Sequence, residues 1–479
     1  MILALSAVAH VAIQAGLIIR VLLRANRDAA SRIAWIVVIL SVPLVGIAVY
    51  MLFGETNVGS RHVERMREVL RDLRRDGSVH KDGSADSPAV IPDRWLPLFH
   101  AGRSVNRFDP VGGNRAELMA DSVSSVEHMV ADIDQARDHV HLLFYIWLPD
   151  NNGRKMAEAL KRAAARGVTC RAMVDDLGSR ELLRSPLWQE MATAGVKLGR
   201  ALPIGNPFLR ILFGRIDLRN HRKILNIDNR ITYCGSQNCA DPEFLPKAKY
   251  APWVDVVLRV EGPVVRQNQI IFAADWMAFV DEDIKHILEM PTEAHEGGFP
   301  AQIVATGPTG RFSAMPQMFE SLIFAARDSI VITTPYYAPS PGLQDALCAA
   351  ANRGLDVTMI MPRRNDDLAV AGASRSYYPQ LLQSGVNIHE YEKGLLHAKT
   401  ITIDGEITFV GSANMDRRSF DLNYENNMLI WDQGVTAALR VRQNQFLADS
   451  RPVTRQEVEG WPWYRRLVNN TLAIVSPLL

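Results

Sequence analysis

The chain has 479 residues, 48% of them apolar and 22% charged, which supports a sizeable buried core and excludes a disordered chain. Lys and Arg number 53 against 52 Asp and Glu, and a net charge of +1 argues against a surface built as a whole for nucleic acid. Cys170, Cys234, Cys239 and Cys348 form neither a CxxC pair nor a Cys/His cluster with zinc spacing, so they read as small buried hydrophobes and no metal site is expected.

In chain order, Met1 to Leu23 is apolar apart from Ser6, His10, Gln14 and Arg20, and Ile33 to Phe53 is 21 residues without a charge. About 20 apolar residues in helix span a bilayer core. The two stretches predict a transmembrane helical hairpin anchor over residues 1–54. A cleaved leader would need a charged first region and a small-residue cleavage site, and no second span would follow at once. Arg24, Arg27 and Arg32 lie in the connecting loop, whereas Arg61, Arg65, Arg67, Arg71, Arg74 and Arg75 follow the second span. By count, the positive-inside bias places the body of the protein in the cytoplasm. Residues 55–92 comprise this basic juxtamembrane helix and a linker. The helix carries Val63, Met66, Val69, Leu70 and Leu73 on one side, and either rests on anionic lipid or presents a solvated face. The linker, DGSVHKDGSADSPAVIP, is rich in Gly, Ser, Asp and Pro.

The remainder contains an internal repeat. HRKILNIDNRITYCGSQN supplies His221, Lys223, Asp228, Gly235, Ser236 and Asn238; HAKTITIDGEITFVGSAN supplies His397, Lys399, Asp404, Gly411, Ser412 and Asn414. All six pairs share one offset (397 − 221 = 176), with no internal gap. The likeness continues upstream, where ARDHVHLLFYIW from Ala136 matches ARDSIVITTPYY from Ala326, each followed by a helical stretch ending in Arg-Gly. Two halves, 93–292 and 293–479, are therefore expected, each an α/β unit with a mainly parallel sheet. His139 and His141 fall in the first strand of this pattern and are expected to be structural.

In an extended HxK stretch, residues i and i+2 point to one face, so His221 projects with Lys223 and His397 with Lys399. An imidazole beside a fixed ammonium, with Ser and Asn donors from the following GSxN turn, suits a phosphate monoanion. In-line displacement at phosphorus needs one group to attack and another to protonate the leaving oxygen. Two half-sites meeting across a pseudo-twofold axis supply both.

HxKxxxxD followed by GSxN, present twice, is similar to the signature of the phospholipase D superfamily. That resemblance implies a duplicated α/β sandwich and a covalent phosphohistidine. His221 would attack and His397 would act as acid and then base, within a catalytic set of His221, Lys223, Asp228, His397, Lys399 and Asp404. It also implies phosphate binding by Ser236, Asn238, Ser412 and Asn414, and an orienting carboxylate for each imidazole. Asp255 in WVDVVLRVEGP is the candidate in the first half and Glu425 in LNYENN in the second. The two motif aspartates, Asp228 and Asp404, tend in this superfamily to support the loop.

Nearly the whole chain further resembles the bacterial cardiolipin synthase family, in RDAASRIAWIVVILSVPLVGIAVYMLFG, in MDRRSFDLNYENN and in the closing SPLL. This implies an inner-membrane enzyme that joins two phosphatidylglycerol molecules, with no cofactor and no nucleic-acid partner; a homo-oligomer is compatible with it. A phospholipase D-type hydrolase or a phosphatidylserine synthase is the alternative, followed by an anchored nuclease or an inactive scaffold. Asp416, Arg417 and Arg418, just past the second GSAN, are candidates for seating the headgroup of the second lipid. At the C-terminus, Trp461, Trp463 and Tyr464 with Arg465 and Arg466 suit either a membrane interface or a docked terminal helix.

Overall fold

Short β-branched runs alternate with Ala- and Leu-rich segments through both copies of the repeat, and they fold accordingly into strands and covering helices. The computed structural model describes residues 2–25, 29–54, 60–75, 83, 87–204 and 218–475. It divides into two compact units, residues 1–63 with 204–218, and residues 64–203 with 219 onward.

In the larger unit, sixteen strands of the described residues form one mixed sheet. From one edge, the first half runs Lys197–Ala201, Thr169–Asp175, His139–Phe144, Lys223–Ile227, Ile231–Gly235, Val257–Glu261 and Val111–Leu118. The second half repeats that order from the other side, with Asn387–Tyr391, Asp356–Pro362, Ser329–Thr333, Thr400–Ile403, Ile407–Gly411, Asn423–Trp431 and Phe299–Thr306, and adds Ser450–Val453 at its edge. Val111–Leu118 and Phe299–Thr306 pair antiparallel and join the halves. This mirrored order is the expected pseudo-twofold duplication.

The expectation of a mainly parallel sheet is corrected. Along each half the parallel pairs lie at the outer end, namely His139–Phe144 with Thr169–Asp175 and Ser329–Thr333 with Asp356–Pro362, and their outer neighbours, while the two-residue strand Arg219–Asn220 adds a short parallel pair to Asn423–Tyr424. The inner strands are antiparallel because each HxK strand turns back at once through a tight hairpin. Asp228, Asn229 and Asp404 take positive φ there, a conformation that Asp and Asn tolerate best among residues with a side chain.

Two apolar cores lie under the helices, one for each half. Trp95, Leu98 and Phe99 belong to the second core, beside Val304, Phe319 and Ile332. Residues 93–106, assigned to the first half from sequence, thus pack with the second. Arg94 ion-pairs with Asp404, and Trp95 Nε1 donates to Glu406 at 2.9 Å. His139 and His141 are buried; His141 stacks on Phe272 at 4.8 Å and hydrogen-bonds Gln269, in keeping with a structural role. All four cysteines are buried and free.

The basic helix spans Ser60–Arg75. Its Met66, Val69 and Leu73 are buried, so this side of the helix is packed rather than laid on lipid or solvated. Most of the following linker lies outside the described residues.

In the smaller unit, Ile2–Leu23 is one helix, and Val21, Ile39 and Tyr50 form a small cluster. The expected second span is not continuous. Ala29–Ser41 ends, Val42 leaves helical geometry, and Pro43–Phe53 begins anew. Pro43 has no N–H to continue the ladder and disfavours helix at the residue before it. The break brings Gly46 so close to the preceding helix that a Cβ there would lie 2.1 Å from the Val38 carbonyl oxygen. Among the described residues, no helix is long and apolar enough to cross a membrane.

Candidate active site

The chain just before each histidine pairs with the other half. Arg219–Asn220 runs parallel to Asn423–Tyr424, and the His221 N–H donates to the Tyr424 carbonyl at 2.9 Å. Leu395–Leu396 runs parallel to Trp253–Val254, and the His397 N–H donates to the Val254 carbonyl at 2.7 Å. Each register sets a histidine beside the carboxylate that follows the paired residues in the opposite half. Nδ1 of His221 lies 2.9 Å from Glu425 Oε2, and Nδ1 of His397 lies 2.7 Å from Asp255 Oδ1. The same-half pairing expected from sequence, Asp255 for His221 and Glu425 for His397, is therefore corrected to a crossed one.

An ionised carboxylate only accepts hydrogen bonds, so it fixes the proton on Nδ1 and leaves Nε2 with its lone pair. Burial, only partly offset by Glu425, lowers His221 to about 3; burial, with the Lys399 charge, lowers His397 to about 4. Burial alone would raise both carboxylates, but the adjacent imidazoles and lysines outweigh it, taking Asp255 to about 2 and holding Glu425 below the usual range. Both imidazoles are thus neutral and both carboxylates ionised. Lys223 and Lys399 donate to the carbonyls of His221 and His397. Burial depresses Lys399 to about 8 and Lys223 well below its ordinary value. A bound anion would favour the charged form of both lysines.

The other motif residues divide. Asn238 and Asn414 line the same pocket as both histidines. Ser236 and Ser412, expected on the phosphate, instead donate to Asp255 and Glu425. They complete two chains, Ser236–Asp255–His397 and Ser412–Glu425–His221. Asp228 accepts from the N–H groups of Arg137, Asp138 and His139 at 2.9 Å each; Asp404 does the same for Arg327, Asp328 and Ser329. Those bonds tie the hairpin to the neighbouring strand and leave both aspartates outside the pocket lining. The catalytic assignment of Asp228 and Asp404 is corrected to a structural one.

The pocket has a volume of about 330 Å³. Asp416, Arg417 and Arg418 line it together with His221 and His397. Burial raises Asp416 to about 6, although its side chain also caps the short helix Arg417–Asp421.

Residues 129–276 and 319–447 match the model of a family described as cardiolipin synthase, phospholipase D-like domain, and residues 12–55 match a phospholipase D-nuclease N-terminal region. Cardiolipin synthase A of Serratia proteamaculans (strain 568) is 36% identical over 472 residues, 97% of this chain and 96% of that protein. The Yersinia pestis cardiolipin synthase A is 37% identical over 475 residues, with the same coverage. The chain belongs to the cardiolipin synthase, phospholipase D-like family. The crystal structure of a phosphatidylserine synthase from Haemophilus influenzae Rd KW20 shares the fold at TM-score 0.59 and 14% identity, covering 80% of this chain and all of that one.

Sequence reading missed several residues of this cardiolipin synthase family site. Tyr145 meets the His221 ring edge-on at 4.9 Å, and Trp253 lies 4.7 Å from the His397 ring. The two imidazoles thus differ in their aromatic neighbour. Asp175 accepts from Arg219 and from the Asn220 N–H, while Asp275 accepts from Asn220 and Arg222, which fixes the segment leading into Lys223. The run RNHRK, three cations around one histidine, was the available signal that buried counter-charges exist. Asp366, taking hydrogen bonds from Tyr336 and Lys247, had no such signal.

Proposed function

We propose that this phosphatidyltransferase joins two phosphatidylglycerol molecules into cardiolipin and glycerol, His221 carrying the phosphatidyl group and His397 the proton. The observation that carries the reading is one pocket lined by two imidazoles, each with its Nδ1 proton fixed by a buried carboxylate. His221 Nε2 attacks phosphorus, the P–O bond to glycerol breaks, and that oxygen takes a proton from His397. A hydroxyl of the second phosphatidylglycerol then gives its proton to His397 and attacks phosphorus, breaking the P–N bond. The bound phosphate anion raises the proton affinity of His397, which is how an otherwise neutral imidazole becomes the acid. Asn238, Asn414, Lys223 and Lys399 hold the non-bridging oxygens. Asp416, Arg417 and Arg418 seat the polar headgroup of the second lipid.

We infer further that residues 1–54 anchor the enzyme in the bacterial inner membrane with its catalytic unit in the cytoplasm. Support comes from the uncharged run Ile33 to Phe53 and from Leu5, Val8 and Leu44, which are 72%, 70% and 76% exposed. The kinked second segment would cross as two short helices in series. Lipid extracts of cells expressing the protein test the activity. Cardiolipin should accumulate with the wild type and not with His221→Ala, and phosphatidic acid in its place would favour hydrolysis.

A further inference from the structure

Amphipathic terminal helices usually turn their apolar side to the protein. The helix Trp463–Val475 does the reverse. It meets the body of the protein through Asn469, which is buried, and through half-buried Arg465, Leu472 and Ala473. Trp463, Tyr464, Leu467, Val468 and Ile474 form the opposite stripe and are 54% to 77% exposed. Trp461 anchors the helix from the other end, buried beneath Arg465 at 4.0 Å and 6.2 Å from Tyr378.

This helix packs along Leu368–Gln383. Trp461 sits near Tyr378, and Leu472 fits over Gly372, where a Cβ would lie 2.3 Å from its Cδ1. The two helices therefore run antiparallel, and the exposed stripe heads toward the first turn of Leu368–Gln383. That turn edges the active site, because Asp367 and Val370 line the pocket. Leu368 between them is 73% exposed. Elsewhere on the rim Leu245, also 73% exposed, stands between pocket-lining Phe244 and Lys247.

We propose that this stripe, continued by Leu368 and Leu245, is a docking face for an anionic bilayer, holding the pocket mouth at the headgroup layer. The proposal rests on the lipid-transfer reading above. The occupant follows from chemistry. Residues 463–475 carry no acid and expose Arg466, and Trp463 and Tyr464 beside an arginine suit the headgroup region. A water-filled gap between bilayer and pocket would have to be crossed by the acyl chains of both substrates. Docking removes that step. A protein seated here would instead crowd the entrance that lipid must use.

The test uses full-length enzyme in proteoliposomes and the double variant Leu467→Glu/Val468→Glu. Cardiolipin synthesis from bilayer phosphatidylglycerol should fall at least about tenfold, since two charges oppose interfacial burial. Synthesis from short-chain phosphatidylglycerol dispersed below its micelle concentration should stay within about twofold. Leu467→Phe/Val468→Leu should behave as wild type on both substrates. An unchanged bilayer rate, or an equal loss on both substrates, overturns the proposal. Occupancy is read separately from Val468→Cys carrying an environment-sensitive dye, the native cysteines being buried. Quenching by brominated phosphatidylglycerol supports bilayer docking. A signal that follows protein concentration and ignores the lipid shows a second copy and overturns it. Should the wild type form no cardiolipin from either substrate, the functional reading fails, and the dye still decides docking.

Discussion

Glu425 holds Nδ1 of His221 from 204 positions away, and its counterpart Asp255 holds His397 across 142. Each imidazole therefore takes its Nδ1 partner from the opposite half, and in the proposed chemistry the two halves act as one unit. Double-mutant cycles should show this. Glu425→Gln alone should slow transfer about 10²–10⁴-fold, as loss of a tautomer-fixing carboxylate does, yet cost little more when His221 is already Ala. Asp255→Asn should couple in the same way to His397. Coupling of Asp255 to His221 instead would contradict the crossed arrangement.

Asp228 and Asp404 predict a different phenotype. Each accepts three backbone N–H groups from the neighbouring strand, and Asp404 also pairs with Arg94. Asp228→Ala or Asp404→Ala leaves those donors unpaired and should cost about 1–3 kcal/mol of stability or more. A thermal melt should register the loss, while turnover per folded molecule stays within a few-fold of wild type. A normal melting temperature with abolished turnover would return both to the chemistry.

Acid should destabilise the enzyme in two stages. His221 and His397 sit at about 3 and about 4 in the folded chain, below the ordinary 6.5. As pH falls below about 6.5 the unfolded chain binds protons that the native chain refuses, so stability drops progressively toward pH 4 and below. Asp255, at about 2 in the folded chain, adds a loss below about pH 4, where the unfolded carboxyl binds a proton that the native one does not. The melting temperature of purified enzyme should fall between pH 7.5 and 5, and the His221→Gln/His397→Gln variant should fall less. Equal slopes for the two would remove the buried neutral imidazoles from the explanation.

The repeat was legible because its six positions recur at one offset, and with it came the duplicated α/β fold and the two histidines; the identity of both carboxylates came from the resemblance to the phospholipase D superfamily. Which carboxylate serves which histidine was not, since it depends on two-residue strands, Arg219–Asn220 and Leu395–Leu396, that pair across halves. Nothing local encodes such a register. Residues 93–106 were misplaced for a similar reason: Trp95 and Phe99 look the same from sequence whichever core receives them. Ser236 and Ser412 carry the right chemistry for phosphate, and only the distance to the carboxylates reassigns them.

Arg418 lines the pocket beside both histidines. If it helps seat a headgroup, Arg418→Gln should raise KM for phosphatidylglycerol about tenfold and change kcat much less, the pattern of lost uniform binding. Initial rates over a range of surface lipid fractions in mixed micelles give both constants. A fall in kcat alone would place Arg418 on the transition state instead.

In the proposed reaction the second nucleophile is a lipid alcohol rather than water, and product analysis on pure phosphatidylglycerol bilayers distinguishes the two. One glycerol should appear for each cardiolipin, with little phosphatidic acid, and excess glycerol should drive the reaction backward because one phosphodiester is exchanged for another. Phosphatidic acid as the main product, with no reversal by glycerol, would contradict the account and make the enzyme a hydrolase.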